Sequence, residues 1–236
     1  VGEVVRDNLD RGWSQLQDEI GSAARRIYEA ARRRAGAKVL IDKTPRYYWI
    51  IEDLLRLIPD CRIILLRRNP LAVLSSIMQP WTRRTRVGFL CDYRADLLEA
   101  PGRIAAAMRI DDDRIHTLRY EDLVADSPTM LAELQSCLGL AHQDNLHHYR
   151  PSTARSYGDP TGVHLHQDPQ STSVDKYLSQ AARRPTDWRL MDDYRRHLGP
   201  NLLARLGYDD RELAKQLKQA RPFGVACAPT LMSQVA

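Results

Sequence analysis

No apolar run in this sequence exceeds about six residues, far short of the roughly 20 that a bilayer-spanning helix needs. Cysteine is sparse. Cys61, Cys91, Cys137 and Cys227 lie far apart, at none of the paired spacings that bind zinc or staple a small fold. They read as packing residues in a reducing compartment, which points to the cytoplasm, although a chain opening on Val1 is silent about any leader before it. Charge is not concentrated either: 35 basic against 30 acidic residues leave +5, with aromatics only 7% of the chain. The densest basic group, Arg25, Arg26, Arg32, Arg33 and Arg34, falls on one expected helix. Nucleic-acid binding needs a basic stripe interleaved with aromatics, so that group reads as a solvated face. Glycine numbers 12, and nowhere builds the Gly-x-x-x-x-Gly-Lys loop that a nucleotide kinase-like protein would require.

What is present is an α/β pattern. The 236 residues suffice for one well-buried domain, expected over 1–209, with 210–236 as a tail that loses its periodicity. An amphipathic helix is expected over residues 10 to 35, stopped by Gly36. Lys38-Asp42 and Cys61-Arg67 are short runs rich in Ile, Val and Leu, the pattern of buried parallel strands. Between them Ile50, Ile51, Leu54, Leu55 and Ile58 recur at helical spacing, which makes a βαβ crossover. Pro70 opens a helix running to about Met78, Arg114-Tyr120 forms a third strand, and Ser127-Pro128 starts a helix closed by Gly139. Helices are expected again near Lys176-Ala182, Asp187-Leu198 and Leu202-Leu206. Residues 150 to 175, rich in Pro, Gly, Ser, Thr, Asp and His, read as a long loop, and loops of that length inside a domain tend to be functional.

In an open parallel sheet, ligands bind where strands end and helices begin. Both such turns here are cationic: Lys43 and Arg46 in the first, Arg67 and Arg68 in the second. Two basic strand-to-helix turns point to a polyanionic ligand, most simply a phosphorylated nucleotide.

The run RRNPLAVLSS, Arg67 to Ser76, resembles the 3′-phosphate-binding motif of sulfotransferases that use 3′-phosphoadenosine-5′-phosphosulfate (PAPS). DKTPRYY (Asp42 to Tyr48), LRYEDLVADSPTMLAELQSCLGL (Leu118 to Leu140) and YGDPTGVH (Tyr157 to His164) followed by Val174-Asp175-Lys176-Tyr177 are similar to further segments of bacterial members, in the same order. The likeness spans about 38 to 209. It implies a parallel sheet flanked by helices, with a P-loop-NTPase-like sulfotransferase core. The implied activity is transfer of a sulfuryl group from PAPS to a hydroxyl or similar acceptor, small or carrier-linked, leaving 3′,5′-adenosine bisphosphate (PAP). It also implies that Arg68 and Ser76 grip the 3′-phosphate. A guanidinium offers two parallel donors to phosphate oxygens, a helical hydroxyl closes from the other side, and the helix N-terminus adds partial positive charge. Lys43 is implied at the sulfuryl or leaving group with Arg46 as a weaker substitute, and Lys176 and Arg155 in the segment that closes over the nucleotide.

Two departures stand out. The family's phosphosulfate-binding loop has no counterpart upstream of Asp42, so the expectation is that it precedes Val1, has moved, or has been lost, leaving a binding or scaffold module. The family's histidine two places after the motif lysine is replaced by Pro45. The acceptor's proton then needs another base: His164 and His166 are the best by chemistry, with Asp42 or an upstream carboxylate as alternatives. Glu121 and Asp122 are expected to cap the short helix that follows them.

Overall fold

The computed structural model describes residues 2–78, 92–144, 146 and 175–223, in two compact units, Val1–Ile63 and Ile64–Ala236. The first holds α1 (Gly2–Asn8), α2 (Gly12–Arg34), a 3-10 turn (Tyr47–Trp49) and α3 (Ile51–Leu57). α2 lies within a residue or two of its expected bounds, and basic residues crowd its last turn, where they complement the helix dipole. α2 approaches α3 at Gly21, where an added Cβ would sit 3.0 Å from both the Cβ and the carbonyl oxygen of Leu57. Arg25 fastens the same point, its Nη1 donating to the Leu57 carbonyl at 2.5 Å.

The strand expected over Lys38-Asp42 does not form; that stretch has no ladder partner among the described residues, and Ile41 is 85% exposed. Apolar β-branched composition favours an extended chain, but only pairing makes a strand.

In the second unit, β1 (Ile63–Arg67, whose first residue closes the first unit) pairs with β2 (Ile115–Arg119) in a small parallel sheet. β1 was expected to be buried on both faces, yet Leu65 alone is buried while Ile64 and Leu66 are exposed. A side chain alternates across a strand, so burying both faces needs a layer on each, and the described residues cover one. Behind the sheet lies a helical core from α4 (Pro70–Met78), α5 (Ala100–Ala107, preceded by a π-helical turn at Ala95–Glu99), α8 (Lys176–Arg183), α9 (Pro185–Arg205) and α10 (Asp210–Gln219). Between β2 and α8 come α6 (Tyr120–Ala125) and α7 (Ser127–Cys137).

Leu71, Leu74, Leu97, Leu190, Met191, Leu203 and Leu217 are fully enclosed there, each contributing about 1.5–3 kcal/mol of burial. Two aromatic polar groups in this core are partnered: Tyr194 donates to the Leu97 carbonyl at 2.7 Å and the Trp188 indole N–H to the Leu217 carbonyl at 2.6 Å. Pro101 sits in the first turn of α5, directly after the π-helical turn. The two helices expected around Pro200 are both present within α9 and meet at Gly199, whose φ of 73° and ψ of 161° are not helical.

Residues 210 onward were expected as a tail, but they open as α10. Asp209 caps it by accepting from the N–H groups of Arg211 and Glu212, and Leu213 and Leu217 are buried. The spacing i, i+4 of those two leucines is a helical face too short to stand out by periodicity. Cys137, expected in the core, is exposed, and Cys61 is half-buried; both are free thiols. No described helix is long and apolar enough to cross a membrane.

Candidate functional site

β1 ends at Arg67, and Arg68 and Asn69 carry the chain into α4, which opens on Pro70. Asn69 is buried and works as the joint: its Oδ1 accepts from the Leu71 N–H at 3.0 Å, and its own N–H donates to Glu121 Oε1 at 2.8 Å. At this joint the amides of Asn69 and Leu71 are thus taken by side chains.

Arg68 is half-buried, with its guanidinium carbon 4.4 Å from the centroid of Tyr120, the first residue of α6. That cation–π contact holds the charge at the mouth of the turn. Eight residues on, the two adjacent serines part company. Ser75 is 2% exposed and donates to Gln180 Oε1 at 2.6 Å, so it belongs to the packing of α4 against α8. Ser76 is exposed.

The end of β2 supplies the support. Glu121, with a side chain 11% exposed, receives Asn69 N–H on Oε1 and the Tyr208 hydroxyl on Oε2 at 3.0 Å, and pairs with Arg119 at 3.3 Å. Its role is thus not to cap α6, where no side-chain cap exists; it ties β2 to the start of α4. Asp122 does lie in the first turn of α6, paired with Arg119 at 3.5 Å. Tyr208 receives two guanidinium groups on its ring, Arg67 at 5.9 Å and Arg119 at 5.2 Å, while Arg67 Nη1 donates to the Leu206 carbonyl. Burial, then the negative charge of Glu121, pushes the Tyr208 hydroxyl well above the usual tyrosine range, so it stays a proton donor.

Lys176 is the first residue of α8 and is exposed. The next residue, Tyr177, is buried, donates to Gln216 at 2.6 Å and has Asn69 as a further hydrogen-bond partner; burial pushes its hydroxyl up to about 12. Helix α8 is thus pinned to α4 at the Asn69 turn and, through Gln180, one turn of α8 later.

In the first unit, Lys43 and Arg46 are exposed in the turn before the 3-10 segment. The turn is organised by Asp42, which accepts from Tyr28 at 2.5 Å, Tyr47 at 2.6 Å and Thr44 at 3.1 Å. Those bonds, Tyr28 first, hold the Asp42 carboxyl below the usual carboxylate range. A carboxylate so stabilised is a weaker proton acceptor than a free one. His164, His166 and Arg155 lie outside the described residues.

Arg68, Ser76 and Lys176 lie in the same unit, which also holds Asn69, Arg119, Tyr208 and Gln180, which sequence reasoning did not place, and Glu121, which it placed only as a cap. Glu121 carried a signal, being an acid at the end of an apolar strand. Tyr208 carried none, because its partners are 87 and more residues away.

A strand-end arginine joined by one buried asparagine to a serine-bearing helix is a site class that a sequence comparison can test. The sequence model of the sulfotransferase family matches residues 6–144, more than half of the 236, and the chain belongs to that family. It is 47% identical over 81 residues to the nodulation protein NoeE of Sinorhizobium fredii, a stretch covering 34% of this chain and 17% of that protein. The chain thus spans less than a fifth of that relative's length. No solved structure matches.

Proposed function

We propose that this protein transfers a sulfuryl group from PAPS to a hydroxyl acceptor, small or carrier-linked, and that Arg68 and Ser76 are its 3′-phosphate contacts. The observation that carries this reading is a half-buried guanidinium at the strand end and an exposed hydroxyl on the helix that follows it, with the neighbouring serine already used in packing. The residues present fit a phosphate. Arg68 is oriented by the Tyr120 ring, and the negative Glu121 is engaged with Asn69, Tyr208 and Arg119. Lys176 adds to the argument. A cation at the first residue of a helix has the wrong sign for the macrodipole, so its placement serves something other than helix stability.

When bound, PAPS supplies a sulfuryl group on a good leaving group. The chain's own residues bind and orient. Arg68 and Ser76 hold the phosphate that distinguishes PAP from ordinary adenylates, and Lys176 and Arg155 neutralise the nucleotide from the side of the late segment. Lys43, with Arg46 as substitute, meets charge developing at the transferred group, as electrostatic stabilisation of such transfers requires. The acceptor's proton goes to His164 or His166.

The test is calorimetry on the full chain with PAP and with 5′-AMP. Wild type is expected to prefer PAP. Arg68→Ala should lose about 2–3 kcal/mol of PAP affinity, the size of a charge-assisted bidentate contact, and little of any AMP affinity. Equal affinity of wild type for the two nucleotides overturns the assignment.

A further inference from the structure

We propose that Glu121 is a positioning residue for phosphate recognition: its carboxylate fixes the Asn69 joint and so sets how Arg68 and Ser76 face one another. This rests on the reading of Arg68 and Ser76 given above. Asn69 separates the arginine from the helix that bears the serine, and any rotation there moves one against the other. Three bonds oppose that rotation: Leu71 N–H to Asn69 Oδ1, Asn69 N–H to Glu121 Oε1, and the Tyr177 hydroxyl with Asn69. Of these, the Glu121 bond alone reaches across the sheet from the neighbouring strand's end. The carboxylate is in turn held by Tyr208 at 3.0 Å and by Arg119 of its own strand end at 3.3 Å, so two distant segments, at Asn69 and Tyr208, fix its position. Glu121 also occupies the Asn69 amide just before α4, so that donor is not available to an anion.

Two conservative variants separate position from charge. Glu121→Gln keeps the length and an acceptor oxygen for Asn69 N–H but removes the charge. Glu121→Asp keeps the charge but is one methylene too short to span from Asn69 to Tyr208 and Arg119. PAP and 5′-AMP are titrated into full-chain wild type and both variants, with thermal unfolding to show that each is folded. The expected result is that the aspartate variant loses at least about tenfold of the PAP-over-AMP preference, while the glutamine variant keeps it within about threefold, each tenfold being the usual 1.4 kcal/mol. Retention of the preference by Glu121→Asp overturns the proposal, since a merely structural carboxylate would lower the melting temperature and leave the ratio alone. Loss in the glutamine variant, alone or with the aspartate, assigns the effect to charge and overturns it equally. A wild type with no preference for PAP refutes the reading of Arg68 and Ser76 instead, so the two failures are told apart.

Discussion

Two adjacent serines on α4 provide a sharp internal control. Ser75 donates to Gln180 at 2.6 Å with the two residues 2% and 7% exposed, whereas Ser76 is exposed. Ser75→Ala leaves the Gln180 acceptor buried without its donor, which costs about 1–3 kcal/mol. For a chain of this length each kcal/mol shifts the midpoint by about 2–4 °C, so the melting temperature should fall by about 2–12 °C. The PAP-over-AMP preference of the folded Ser75→Ala protein should be unchanged. Ser76→Ala should do the reverse. An exposed serine lost from a helix alters stability by less than about 0.5 kcal/mol. A hydroxyl bonded to a phosphate is worth about 1.5–3 kcal/mol, so PAP affinity should drop by roughly ten- to a hundredfold. Differential scanning fluorimetry and calorimetry on the two variants suffice. If Ser76→Ala binds PAP as wild type does, or if Ser75→Ala is the variant that loses the preference, the assignment of the two faces of α4 is wrong.

Three further outcomes follow from the packing. Gly207 has φ +80°, and a Cβ there would meet the Arg67 guanidinium, so Gly207→Ala should destabilise by at least about 1–2 kcal/mol of backbone strain, read as a lower urea midpoint with unchanged slope. Leu213 is buried against the core from α10, so Leu213→Ala should cost about 2–5 kcal/mol; a loss under about 0.5 kcal/mol would mean that 210–219 adds nothing to the fold. The lowered pKa of Asp42 means that its contribution to stability is present above the unfolded value near 3.9 and is lost as pH falls through the folded one. Urea midpoints from pH 6 to pH 2 should accordingly fall less steeply for Asp42→Asn than for wild type. Parallel curves would show that the tyrosine bonds to Asp42 do not persist in solution.

Most helices were legible because local signals mark them. Gly36 ends α2, Pro70 and Pro128 sit in first turns, Gly139 closes α7, and the observed bounds follow within a residue or two. Strands were legible only where a partner exists: β1 and β2 were found, but the equally apolar Lys38-Asp42 stays irregular. Pairing is a property of two segments, and composition reports on one.

The site divides the same way. Arg68 and Ser76 could be picked out because their separation of eight residues lies within one strand–turn–helix and is written in the order of the chain. Which of two neighbouring serines is exposed was settled by Gln180, 105 residues away, and the role of Glu121 by its reach to Asn69 and Tyr208, 52 and 87 residues away. Local conformation follows from the identity of nearby residues. The orientation of a buried carboxylate depends on which distant groups the chain brings to it, and packing alone decides that.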